Sequence, residues 1–135
     1  MIVQNKQQLV VEVATNLPEG WVKTFGDDLC NRLWAAIERN NLIGKYEILQ
    51  VKEKFGMLTW YDRNSNDEIK EIITFFHEMS KYTCCVCGAL AEWIKTDCWI
   101  TPICDKHLKE RNYHPNSYKR ANDYWDEWDK LTKGE

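Results

Sequence analysis

Two pairs of metal-ligand residues, each with a two-residue gap, constrain this chain more than any other feature. Cys84-Cys85-Val86-Cys87-Gly88 and Cys104-Asp105-Lys106-His107 together spell C-x2-C-x16-C-x2-H. A structural zinc ion takes four soft or borderline ligands at tetrahedral corners, and a C-x-x-C turn supplies two thiolates from one tight knuckle. The spacing therefore predicts one structural Zn2+ held by Cys84, Cys87, Cys104 and His107 in a zinc-ribbon-like knuckle. Gly88 can take the positive φ that turns backbone N–H groups toward the cysteine sulfurs. Cys85 and Cys98 stand close enough in sequence to replace a neighbour in the tetrahedron. Cys30 reads as a small core residue, and His77 and His114 as ordinary histidines.

The setting agrees with metal rather than disulfide chemistry. The first residues, Met1 to Gln8, lack the charged and apolar regions of a secretory signal, and no stretch is long and apolar enough to cross a bilayer. The expectation is a cytoplasmic protein without a membrane partner, in which thiols stay reduced. Its seven Trp, six Tyr and four Phe supply the large apolar surface of a folded chain.

Apolar periodicity and turn residues organise the rest. Residues 7–14 carry a β-branched run that reads as a strand, with a helical start as the alternative. After Pro18-Glu19-Gly20, Thr24 is placed to cap a helix with Phe25, Leu29, Leu33, Ala36 and Ile37 at helical spacing, ended by Asn40-Asn41 and Gly44. Tyr46–Glu53 and Met57–Asp62 flank Lys54-Phe55-Gly56 and predict a β-hairpin. Ser65 with Glu68 fits a capping box before a helix whose stripe is Ile69, Ile72, Ile73, Phe76 and Met79.

Glu92–Ile100 predicts a short hairpin inside the knuckle. After Pro115, Asn116 or Ser117 is placed to cap a last helix carrying Tyr118, Ala121, Trp125, Trp128 and Leu131. The predicted class is α+β: helix, β-hairpin, helix, zinc knuckle, C-terminal helix. Residues 1–82 form a small α+β layer and 83–135 the knuckle with its helix, in one compact unit.

The combined order resembles a group of short proteins found in phages, prophages and bacterial genomes. They share Gly-Trp before a helix, a Lys-Phe-Gly hairpin turn followed by aromatics, a charged helix, a C-x-x-C-G knuckle and a Trp-led C-x-x-H knuckle. Here these are Gly20-Trp21, Lys54-Phe55-Gly56 followed by Trp60-Tyr61, Cys84 to Gly88, and Trp99 to His107. Cys85 departs from the acidic residue usual in that group, and the tail from 109 onward extends beyond it. The resemblance supports the same four ligands and implies phage or mobile-element origin, but no activity.

Three thiolates and an imidazole fill every position of a tetrahedron, which points away from a catalytic zinc with an open site. His77-Glu78 belongs to no H-E-x-x-H or H-x-E motif, and there is no phosphate loop or G-x-S-x-G elbow. His107, His114 and Asn116 do not follow the order of an HNH-type nuclease, so an unrecognised nuclease-like enzyme is the third reading. Asp62, Asp67 and Glu68 read as a solvated acidic loop.

The leading expectation is a non-enzymatic, zinc-stabilised binding protein that inhibits or modulates a host protein. Tyr113, Tyr118, Tyr124, Trp125 and Trp128 are the candidate contact residues, being of the types that dominate interface hot spots. The alternative is a zinc ribbon that binds nucleic acid through Lys95, Lys106, Lys109, Arg111, Lys119 and Arg120. A formal net charge of −3 and the acidic run Asp123, Asp126, Glu127 and Asp129 disfavour that alternative.

Overall fold

The computed structural model describes residues 1–96, 99–113 and 117–120. It is an α+β fold in which a helical and hairpin layer carries a smaller three-stranded unit built around the cysteine pairs.

Residues 7–14 are helical, correcting the strand reading: α1 spans Lys6–Asn16. A capping box starts it, the Asn5 side chain accepting from the Gln8 N–H (3.1 Å) and the Gln8 side chain from the Asn5 N–H (3.3 Å). Leu9 and Val13, four residues apart, are its buried positions, while the β-branched Val11 stays exposed.

The next helical path begins at Pro18 and not at Thr24. It runs through α2 (Glu19–Trp21), a π-helical turn (Val22–Gly26) and α3 (Asp27–Arg39) without a break. Thr24 lies inside the π turn, so it caps nothing. Trp21, Phe25, Leu29, Leu33, Ala36 and Ile37 form the buried stripe, joined by Cys30 as a core residue.

Strands β1 (Glu47–Lys54) and β2 (Met57–Arg63) form the expected antiparallel hairpin, with Val51 opposite Trp60 and Lys54 opposite Met57. Its two-residue turn places Phe55 at φ +53° and Gly56 at φ +77°, the left-handed pair that matches the strand twist. A bulge between Ile48 and Gln50 re-aims the strand and leaves Leu49 exposed.

Helix α4 spans Asp67–Ser80 and packs on β2 and α3. Its cap is Asn66, whose side chain accepts from the Ile69 N–H at 2.9 Å, and not Ser65. Phe76 reaches Phe25 across this layer, ring centroids 5.5 Å apart. Glu68 is not loose in solvent: it pairs with Arg39 and accepts from the Asn40 amide at 2.7 Å. Asp62 likewise accepts from the buried Tyr46 hydroxyl at 2.6 Å, and the Trp60 indole donates to the Tyr46 hydroxyl oxygen at 2.8 Å.

The second unit contains β3 (Glu92–Thr96), β4 (Ile100–Ile103), α5 (Asp105–Glu110) and β5 (Tyr118–Arg120), the antiparallel sheet running β4-β3-β5. The expected hairpin is β3–β4. Tyr118 lies in a strand, opposite Thr96, and not on a helix; the remainder of the proposed last helix, from Ala121, lies outside the described residues. Buried Cys84, Ile94, Ile103 and Leu108 make a separate small core, with Tyr113 and Tyr118 packed against it.

Candidate metal centre

Two short elements present the four residues. The loop from Cys84 to Gly88 closes on itself through the Gly88 N–H donating to the Cys84 carbonyl at 3.0 Å, with Gly88 at φ +81°. An L side chain is strained there, and glycine is not. On the other side Cys104 sits immediately before α5 and His107 on its first turn, three residues on, so both project from one side of that turn. The Cys85 N–H donates to the Pro102 carbonyl at 2.9 Å and ties the loop to β4.

Ligand atoms of Cys84, Cys87, Cys104 and His107 all lie within 4.8 Å of one another, and the group could hold a metal ion. The Cys87 and Cys104 sulfurs are 3.8 Å apart, and the His107 Nδ1 is 3.1 Å from the Cys104 sulfur and 3.8 Å from that of Cys84. Zinc–sulfur bonds of about 2.3 Å meeting at the tetrahedral angle put sulfurs about 3.8 Å apart, and sulfur and imidazole nitrogen about 3.5 Å apart. The Cys87–Cys104 separation matches the first value, and the two distances to His107 bracket the second.

The electrostatics also favour a cation. Burial pushes the Cys84 thiol up, but backbone N–H groups of Cys104, Cys87 and Val86 aimed at the sulfur bring it down to about 6. Desolvation raises the Cys104 thiol against a backbone N–H at His107, and the adjacent Cys84 and Cys87 sulfurs raise it further. Thiolates this close repel one another, and a bound cation removes that repulsion. His107 offers Nδ1 to the cluster while its Nε2 faces the Glu110 carboxylate at 3.7 Å, the usual outer partner of a metal-bound imidazole. Glu110 was not anticipated, although its place three residues after His107 on a helix was the available signal.

Cys85 turns away from the cluster, its sulfur 3.4 Å from the Thr101 hydroxyl. Cys98 and His114 lie outside the described residues, as do Tyr124, Trp125 and Trp128. His77 sets its Nδ1 2.6 Å from the Leu58 carbonyl, far from the cysteines in the α4–hairpin seam.

Of the remaining candidate residues, Lys109, Tyr113, Tyr118 and Arg120 line one cavity beside Asp105 and Leu108. Tyr113 packs beside Trp99 with ring centroids 5.6 Å apart, and the Arg111 guanidinium lies over the Trp99 ring at 5.5 Å. Arg120 pairs with Glu92 at 3.2 Å and Asp105 at 3.0 Å. Lys95 and Lys119 are opposite each other on β3 and β5, and Lys106 and Lys109 are exposed on α5. No helix among the described residues is long and apolar enough to cross a membrane. Comparison with protein-family models, with curated proteins and with solved structures gives no match.

Proposed function

We propose that this chain is a zinc-stabilised, non-enzymatic binding protein of phage or mobile-element origin that inhibits or modulates a protein of its bacterial host. The observation that carries the zinc reading is the convergence of three sulfurs and one imidazole nitrogen within 4.8 Å. Cys84, Cys87, Cys104 and His107 would occupy all four corners, and zinc so bound supplies folding energy and leaves no position for a reacting water.

A protein partner is favoured by charge and by surface. The net charge of −3 draws in no polyanion, and Arg120, one of the basic candidates, is engaged by Glu92 and Asp105. Where α4 meets the knuckle, Phe75, Met79, Tyr82 and Leu90 line an open apolar groove of about 570 Å³, and Leu90 is 87% exposed. An apolar segment of a protein, rather than a phosphate backbone, fits such walls.

The test uses the zinc-loaded full chain as bait in bacterial lysate, followed by binding of the purified partner. The reading expects an affinity that changes little between low and moderate salt and is lost in Leu90→Asp. Steeply salt-dependent binding to nucleic acid, with no protein partner, would replace this reading with the zinc-ribbon alternative.

A further inference from the structure

One turn of the N-terminal helical path grips the cysteine loop at three successive points. The buried Trp21 indole donates to the Thr83 carbonyl at 2.9 Å, just before Cys84. The Gly20 N–H donates to the Cys85 carbonyl at 2.9 Å, inside the C-x-x-C turn. The Thr24 hydroxyl donates to the Gly88 carbonyl at 2.6 Å, just after Cys87. The loop that offers two of the four ligands is thus held before, within and after its cysteines by residues more than sixty positions away in sequence.

The fit leaves no space for change. A Cβ on Gly20 would stand 2.1 Å from the Cys84 carbonyl oxygen and 2.7 Å from both the Cys85 carbonyl carbon and the Gly88 nitrogen. These are backbone atoms of the loop itself, so they cannot rotate aside. A Cβ on Gly88 would meet Thr24 Oγ1 at 2.0 Å and the Gly20 carbonyl oxygen at 2.6 Å. Gly20 and Gly88 are therefore two halves of one backbone-to-backbone contact. The π turn, with its extra residue per turn, contains Thr24 and sets its hydroxyl against the Gly88 carbonyl.

We propose that Gly20 and Thr24 are positioning residues for the metal centre, holding the Cys84–Gly88 backbone in its ligand-presenting shape before the ion enters. The inference rests on the reading of the cluster as a zinc site. A preformed loop loses less conformational freedom on metal binding, so affinity rises without any new bond to the ion. Outer partners of metal ligands typically contribute 10- to 100-fold in affinity. Gly20→Ala, which forces the loop away, belongs at the upper end, and Thr24→Val, which removes one hydrogen bond, at the lower.

The experiment is zinc competition against a chromophoric chelator, using the full chain and four variants. Gly20→Ala is expected to weaken zinc binding about 100-fold and Thr24→Val about 10-fold, with Thr24→Ser restoring wild-type affinity. Ile37→Val, which loosens the helical core far from the loop, is expected to leave zinc affinity unchanged while lowering stability in denaturant. Should Gly20→Ala fail to fold, the Thr24→Val and Thr24→Ser pair decides the matter. Stoichiometric zinc in the wild type with unchanged affinity in Thr24→Val overturns the positioning role and leaves the zinc site standing. Absence of zinc binding by the wild type overturns both.

Discussion

The two units of this protein are held together by different means. Among the described residues, the helical and hairpin layer buries a continuous cluster running from Val3 to Phe76, with Trp21, Phe25, Tyr46 and Phe76 among its largest members. Among the described residues, the unit after it buries a smaller cluster, Cys84, Ile94, Ile103 and Leu108, with Ala91, Tyr113 and Tyr118 packed against it. At roughly 1.5–3 kcal/mol for each large side chain buried, the first cluster contributes far more toward the entropy of ordering its elements than the four buried residues described in the second. A cluster this small gains from a staple, and the three cysteines and histidine stand where a metal would provide one. Among the described residues, a candidate metal centre stands in the second unit where the first has an extended apolar core.

The largest effect should come from removing a ligand. Cys104→Ser is expected to abolish stoichiometric zinc binding and to melt β3, β4, β5 and α5, since structural zinc supplies about 10–16 kcal/mol of apparent binding energy. Circular dichroism should lose strand signal while helical signal from α1, α3 and α4 persists. Loss of both together would show that the units fold as one and would break the comparison.

A cavity in the first core should do the converse. Phe76→Ala removes a fully buried ring that packs on Phe25 and is expected to cost about 3–5 kcal/mol in denaturant unfolding. Zinc content, measured by atomic spectroscopy on the folded variant, should remain one per chain.

A smaller effect belongs to the Tyr46 network. Burial and the hydrogen bond to Asp62 push the Tyr46 hydroxyl well above the ordinary tyrosine range. The unfolded chain releases this proton near pH 10 and the native chain holds it, so the unfolded state binds fewer protons above that pH. Its contribution is complete below about pH 10 and is lost as the pH rises beyond. Tyr46→Phe is expected to lose about 1–3 kcal/mol at neutral pH, leaving Asp62 and the Trp60 indole without their shared partner, and to flatten the alkaline fall in stability. Urea unfolding at a series of pH values measures both.

Arg120 should matter least. Its bonds to Glu92 and Asp105 link β5 to the rest of the second unit, but all three side chains are partly exposed. Arg120→Ala is expected to shift stability by about 1 kcal/mol or less, measured by thermal unfolding of the zinc-loaded protein.

What could be read from the residues alone follows the range of the interactions. The hairpin was legible because Lys54-Phe55-Gly56 stands between β-rich runs, and α4 because its stripe repeats over three turns. The ligand spacing was legible because both pairs are local. Helix α1 was misread because β-branched Val10, Val11 and Val13 outweighed the Asn5–Gln8 capping box, which needs both side chains to be considered together. Tyr118–Arg120 looked helical on aromatic periodicity, whereas pairing with β3 decides its conformation, a choice that propensity does not encode. The clasp of Gly20, Trp21 and Thr24 on the cysteine loop was invisible for the same reason: its partners are distant in the chain.

Amide hydrogen exchange of the zinc-loaded protein, before and after a strong chelator, tests the division most directly. The expected result is that β3, β4 and α5 are protected with zinc and exchange freely without it, while α1, α3 and α4 retain their protection. Unchanged protection of β3, β4 and α5 after complete removal of the metal would contradict it, because the small second core would then be standing unaided.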